Sequence, residues 1–115
     1  MDFTSETLNQ ILLLNLKGNL ISNDLELDLM NLIEESLNND IILCAIDISE
    51  LKFINSSGIG LLISILTRFR NRSGEVFLIK PSEQVKKLLI ITKLYAIFNI
   101  AESKSEALEK LSDIK

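Results

Sequence analysis

Histidine is absent from the 115-residue sequence, and there is a single cysteine, Cys44. Without histidine the chain lacks the commonest metal ligand and the commonest general base at neutral pH, which argues against many enzyme classes. One cysteine cannot form an internal disulfide, and Cys44 lies within an apolar run, so it is expected to be a small core residue rather than a nucleophile. An excess of positive charge is missing too. The formal net charge is −4 and the pI about 4.8, the wrong sign for gripping phosphate backbones, so no direct nucleic-acid contact is expected. Long hydrophobic runs are also lacking. The longest, residues 41–46 and 59–66, fall far short of the ~20 residues needed to span a bilayer. The segment MDFTSETLNQ has neither the basic start nor the apolar middle of a signal peptide. These features predict a cytoplasmic protein with no membrane partner.

What is present is the balance of a globular chain, 47% hydrophobic and 24% charged. Its length suits one domain, residues 1–115, with its own core. Residues 10–16 (QILLLNL) read as a strand leading to a turn at Gly18, with a weaker strand near residues 2–5. Asn23 and Glu26 have capping-box spacing, and Leu25, Leu29, Leu32, Ile33 and Leu37 recur every three or four residues, which predicts a helix ending near Asn38-Asn39. Residues 41–47 (IILCAID) suit a central strand, and Ser49-Glu50-Leu51-Lys52 is expected to turn the chain. A helical stripe of Ile59, Leu62, Ile63, Leu66 and Phe69 closes at Ser73-Gly74. Residues 75–80 form the next strand, Pro81-Ser82 opens a third helix through Val85, Leu88 and Leu89, and residues 96–100 give a last short strand. Ser103 and Glu106 cap a terminal helix carrying Ala107, Leu108 and Leu111. Strands alternating with helices predict an α/β fold: a mixed, mostly parallel sheet of four or five strands covered by about four helices, mostly on one side.

The run from Asp47 to Leu61, DISELKFINSSGIGL, carries the most information. It resembles the signature of the STAS domain of bacterial anti-sigma factor antagonists: a strand ending in Asp, a short loop with an aromatic, and Asp-Ser-Ser/Thr-Gly opening the next helix. Gly18-Asn19-Leu20 is similar to the family's entry to its first helix, and the order of elements fits along nearly the whole chain. The resemblance implies a binding module rather than an enzyme, with no resident cofactor. Its partner would be an anti-sigma factor that is also a serine kinase, and the complex would regulate transcription. The first serine of the pair, Ser56, would be the phosphoacceptor, ATP would belong to the kinase, and a phosphatase would reset the switch. The simplest assembly is a monomer, or a weak homo-oligomer, that pairs with its kinase.

A serine at the first turn of a helix has unpaired N–H groups and the positive dipole end beside it, and these can stabilise a phosphate. Taken alone, Ser56 and Ser57 also fit simple helix caps. Asn55 and Ser57 are expected to shape the loop, Asp47 to fix its geometry by accepting N–H bonds, and Gly58 and Gly60 to admit a partner's backbone. With the stripe above assigned to the core, Leu61, Ile65 and Arg68 become the predicted partner-binding face, although Leu61 and Ile65 also suit a helix buried over most of its circumference. Asn55 stands where phosphorylated antagonists carry Asp, keeping the hydrogen-bonding shape but not the charge. Two further readings stay open: a STAS scaffold or adaptor that is never phosphorylated, serving stress signalling, transport or lipid trafficking, and a domain holding a nucleotide phosphate at Gly58-Ile59-Gly60. The latter lacks Rossmann and Walker glycine spacing.

Overall fold

A computed structural model of the chain describes residues 2–20 and 25–114. A five-stranded sheet runs in the order β1 (Asp2–Leu8), β2 (Ile11–Leu20), β3 (Leu43–Ile54), β4 (Glu75–Ile79) and β5 (Asn99–Ala101). Only β1 is antiparallel to its neighbour; β2 to β5 are mutually parallel. The crossovers are α1 (Leu25–Asn38), α2 (Ser56–Arg70) and α3 (Glu83–Ile91), and α4 (Lys104–Ile114) closes the described chain.

Alternation along the strands divides the core in two. Leu12, Leu14, Cys44, Ile46, Val76 and Leu78 face α1, α2 and α3. Ile11, Leu13, Leu43, Ala45, Phe77 and Ile79 face α4, which contributes Ala107 and Leu111. Three helices on one face and one on the other is the asymmetric layering expected. Cys44 lies in the larger core, and burial raises the pKa of its thiol, so it is inert as a nucleophile.

Several boundaries differ from the sequence reading, each for a local reason. Asn9 and Gln10 both have positive φ, as a two-residue type I′ turn requires, so β1 and β2 form a tight hairpin without the usual glycine. The chain does not turn at Gly18 or at Ser49–Lys52: β2 runs on to Leu20 and β3 to Ile54, paired through two register irregularities. Gly18, at φ +85°, bends β2 without ending it. Asp47 Oδ1 accepts the Ser49 N–H at 2.9 Å and the Ser49 hydroxyl at 2.7 Å, which stabilises the first bulge.

At the end of α2 it is Ser73, not Gly74, that adopts the left-handed conformation. Gly74 serves a close approach instead, because a Cβ there would collide with the Ile42 carbonyl oxygen. The Ser82 hydroxyl caps α3 and donates to the Leu51 carbonyl at 2.9 Å, tying that helix to the β3 extension. Ser103 caps α4 as expected, while the Glu106 carboxylate reaches the Glu102 N–H at 2.8 Å, a bond that lowers its pKa. Asn23 lies outside the described residues.

Candidate functional site

The β3 extension delivers the chain to the N-terminus of α2. Asn55 is the cap: its backbone is extended and its Oδ1 accepts the Gly58 N–H at 2.9 Å, while its carbonyl accepts the Ile59 N–H at 2.9 Å. Since Asn55 does the capping, neither serine has to. Ser56 and Ser57 are both exposed in the first turn, and among the described residues their hydroxyls make no hydrogen bond. No hydrogen bond among the described residues therefore holds the Ser56 oxygen, and the turn beside it presents the positive end of a 15-residue helix.

The two glycines play different parts. Gly60 is exposed, and a Cβ added there would meet nothing within 4 Å. Glycine inside a helix costs roughly 0.5–1 kcal/mol relative to alanine, so packing gives no reason for it. Gly60→Ala should accordingly raise the unfolding free energy by about 0.5–1 kcal/mol, read as a higher midpoint in thermal unfolding. Gly58 is buried, which corrects the expectation that it opens a path for a partner.

The predicted partner face is also corrected. Leu61 is 4% exposed and Ile65 fully buried, both within the main core, whereas Ile59 and Ile63 are only partly buried. The helix is rotated relative to the predicted stripe, so that Gly58, Leu61, Leu62, Ile65, Leu66 and Phe69 face inward. Arg68 is exposed and paired with Glu34 of α1. It stands roughly 18 Å along the helix from Ser56, at 1.5 Å per residue. Arg70 and Arg72 likewise pair with Glu75 and Asp40.

Asp47 is not brought to the serine loop either. It lies in register with Asn15 and Ile79 and lines the α4 side of the sheet, with its hydrogen bonds ending at the Ser49 bulge. Three residues before Ser56 in the chain, at the end of β3, the structure exposes Phe53, at 53%. It borders a shallow cavity of about 300 Å³ lined by Lys52, Phe53, Ile54, Gln84, Val85 and Leu88. The sequence carried this signal as the aromatic of the loop, though not the exposure of its ring.

Comparison with known proteins bears on the fold. The STAS domain model matches residues 2–107. A curated relative from Thermotoga neapolitana, named as a candidate anti-sigma factor antagonist and homologue of TM1081, is 34% identical over 64 residues, 56% of this chain and 57% of the relative. The chain thus spans little more than half the length of that protein. Among solved structures, TM1081 of Thermotoga maritima superposes with a TM-score of 0.85 at 24% identity, covering 97% of this chain and 90% of that one. The anti-sigma factor antagonist SpoIIAA in its unphosphorylated form gives 0.77 at 18% identity over 96% and 98% of the two chains. The phosphorylated form of SpoIIAA, from Bacillus, gives 0.75 at 20% identity over 95% and 98%. At these identities the structural likeness establishes the fold.

Proposed function

The chain belongs to the STAS domain family and has the fold of the anti-sigma factor antagonists, and on that premise we propose that it is a phosphorylation-switched antagonist whose acceptor is Ser56. Unphosphorylated, it sequesters an anti-sigma factor with serine-kinase activity; phosphorylation of Ser56 by that kinase dissolves the complex, and a phosphatase restores it. The observation that carries the reading is the exposed Ser56 hydroxyl, left unbonded because Asn55 supplies the helix cap. SpoIIAA, known in phosphorylated and unphosphorylated forms, supports it by analogy of fold.

The partner surface is redrawn from the burial pattern. Phe53, Ser56, Ser57 and Gly60 form its centre, in place of Leu61 and Ile65. An exposed aromatic beside a shallow apolar cavity is the kind of anchor interfaces favour. A side chain at Gly60, one helical turn from Ser56, would hold a kinase backbone away.

Intact-mass spectrometry of the protein from its own cells, followed by peptide mapping across residues 53–68, tests the switch. One phosphate is expected on Ser56, lost in Ser56→Ala and reduced in Gly60→Ala. A chain unmodified during both growth and stress would sink the switch and favour the scaffold reading.

A further inference from the structure

On the face of the sheet opposite α2, four strands place Thr4, Asn15, Asp47 and Ile79 in one lateral row. Above the row, beside the first turn of α4, lies a cavity of about 340 Å³ whose floor is Leu13, Ala45 and Ile79. That is within the size range of small-molecule sites, and much larger than the ~30 Å³ one water occupies.

Two observations on its walls point to a ligand. The Asn15 side-chain oxygen is buried and makes no hydrogen bond among the described residues, an arrangement that costs roughly 1–3 kcal/mol unless a donor meets it. Its register neighbour Asp47 forms no ion pair among the described residues, and the Ser49 contacts occupy only Oδ1, leaving Oδ2 unused. At the mouth, Lys104 is neutralised by Glu6 at 3.1 Å. The uncompensated charge of the cavity is therefore that of the Asp47 carboxylate, adjacent to an amide oxygen that lacks a donor. That oxygen is turned away from the cavity space, and a half-turn of the terminal torsion, which exchanges the amide oxygen and nitrogen, would aim it at a bound donor.

We propose that this cavity binds a small organic amine. Its ammonium would donate to Asp47 Oδ2 and Asn15 Oδ1, and its carbon chain would lie on Leu13, Ala45 and Ile79. A metal ion fits less well, because no group of three or more potential acidic or thiol ligands converges among the described residues.

The test is a ¹H–¹⁵N NMR titration of the full chain with 1,4-diaminobutane, using 1,4-butanediol as the uncharged control. Saturable shifts are expected at Leu13, the Asn15 side-chain amide, Ala45 and Asp47 with the diamine and not with the diol. Asp47→Asn keeps the acceptor for Ser49 but removes the charge, and should weaken the diamine at least tenfold while the rest of the spectrum stays native. The proposal is overturned if the diamine produces no saturable shift at these residues, if the diol binds equally well, or if Asp47→Asn leaves the affinity unchanged. None of these outcomes depends on Ser56.

Discussion

Ile65→Asp is expected to abolish the native fold, and Ile65→Ala to lower the unfolding free energy by about 2–5 kcal/mol. Ile65 is fully buried in the core that joins α2 to the sheet, a cluster whose members among the described residues are apolar and offer a carboxylate no cation. An unpaired buried charge costs more than the ~5–15 kcal/mol by which domains are stable, unless it protonates or the site opens to water. Thr67→Asp on the exposed side of the same helix is the control, expected to cost only about 1 kcal/mol, from a negative charge in the last turn of α2 and loss of the hydroxyl's bond to the Ile63 carbonyl. Far-UV circular dichroism with urea and thermal unfolding reads all three. A cooperative Ile65→Asp transition at the parental midpoint would show that Ile65 does not pack as described, and would return it to the partner surface.

The displacement of the buried face of α2 from the predicted stripe has a specific origin. The apolar residues of α2 between Ile59 and Phe69 cover an arc of roughly 200° at 100° per residue, wider than one buried stripe. Periodicity alone cannot locate the centre of so broad an arc, and the predicted stripe centres nearer Ile59 and Ile63. In the fold the centre lies nearer Ile65 and Phe69, and burial of Gly58, which carries no hydrophobic side chain to reveal it, belongs to the same face. The β3 extension was hidden for a related reason. Ile48, Leu51 and Ile54 are buried at intervals of three because bulges interrupt the two-residue alternation, and Ser49-Glu50-Leu51-Lys52 then looks like a turn. Asp40, Ser73 and Lys93 adopt positive φ just after α1, α2 and α3, positions where the usual glycine signal is missing.

Features that depend on local chemistry were readable. The Ser82 and Ser103 caps, the alternation of strands and helices, and burial of Cys44 each follow from residue type and spacing. The lateral row of Asn15 and Asp47 was not, since it depends on register between strands separated by a helix.

The chain phosphorylated on Ser56 is expected to bind the proposed anti-sigma factor partner at least 100-fold more weakly than the unmodified chain, about 2.7 kcal/mol, while melting no lower. The two halves of this expectation have different causes. Phosphate adds roughly −1.5 to −2 charges to a chain already at −4, one helical turn from the exposed Gly60 where the partner would approach, so repulsion and desolvation act on the complex. Within the domain the same phosphate meets the N-terminus of α2, where a negative charge is favourable by about 0.3–1 kcal/mol, and it displaces no bond of the Ser56 hydroxyl. Asn55 makes this tolerance greater. Its neutral amide holds the Gly58 N–H as a carboxylate would, without placing a second negative charge next to the phosphate. Asn55→Asp should therefore raise the melting temperature of the unphosphorylated protein slightly and lower that of the phosphorylated one relative to the Asn55 parent. Paired thermal melts, with binding of the kinase measured by calorimetry, separate the effects. Equal affinity of both phosphorylation states would remove the switch, whereas a lower melting temperature on phosphorylation of the parent would refute only the role given to Asn55.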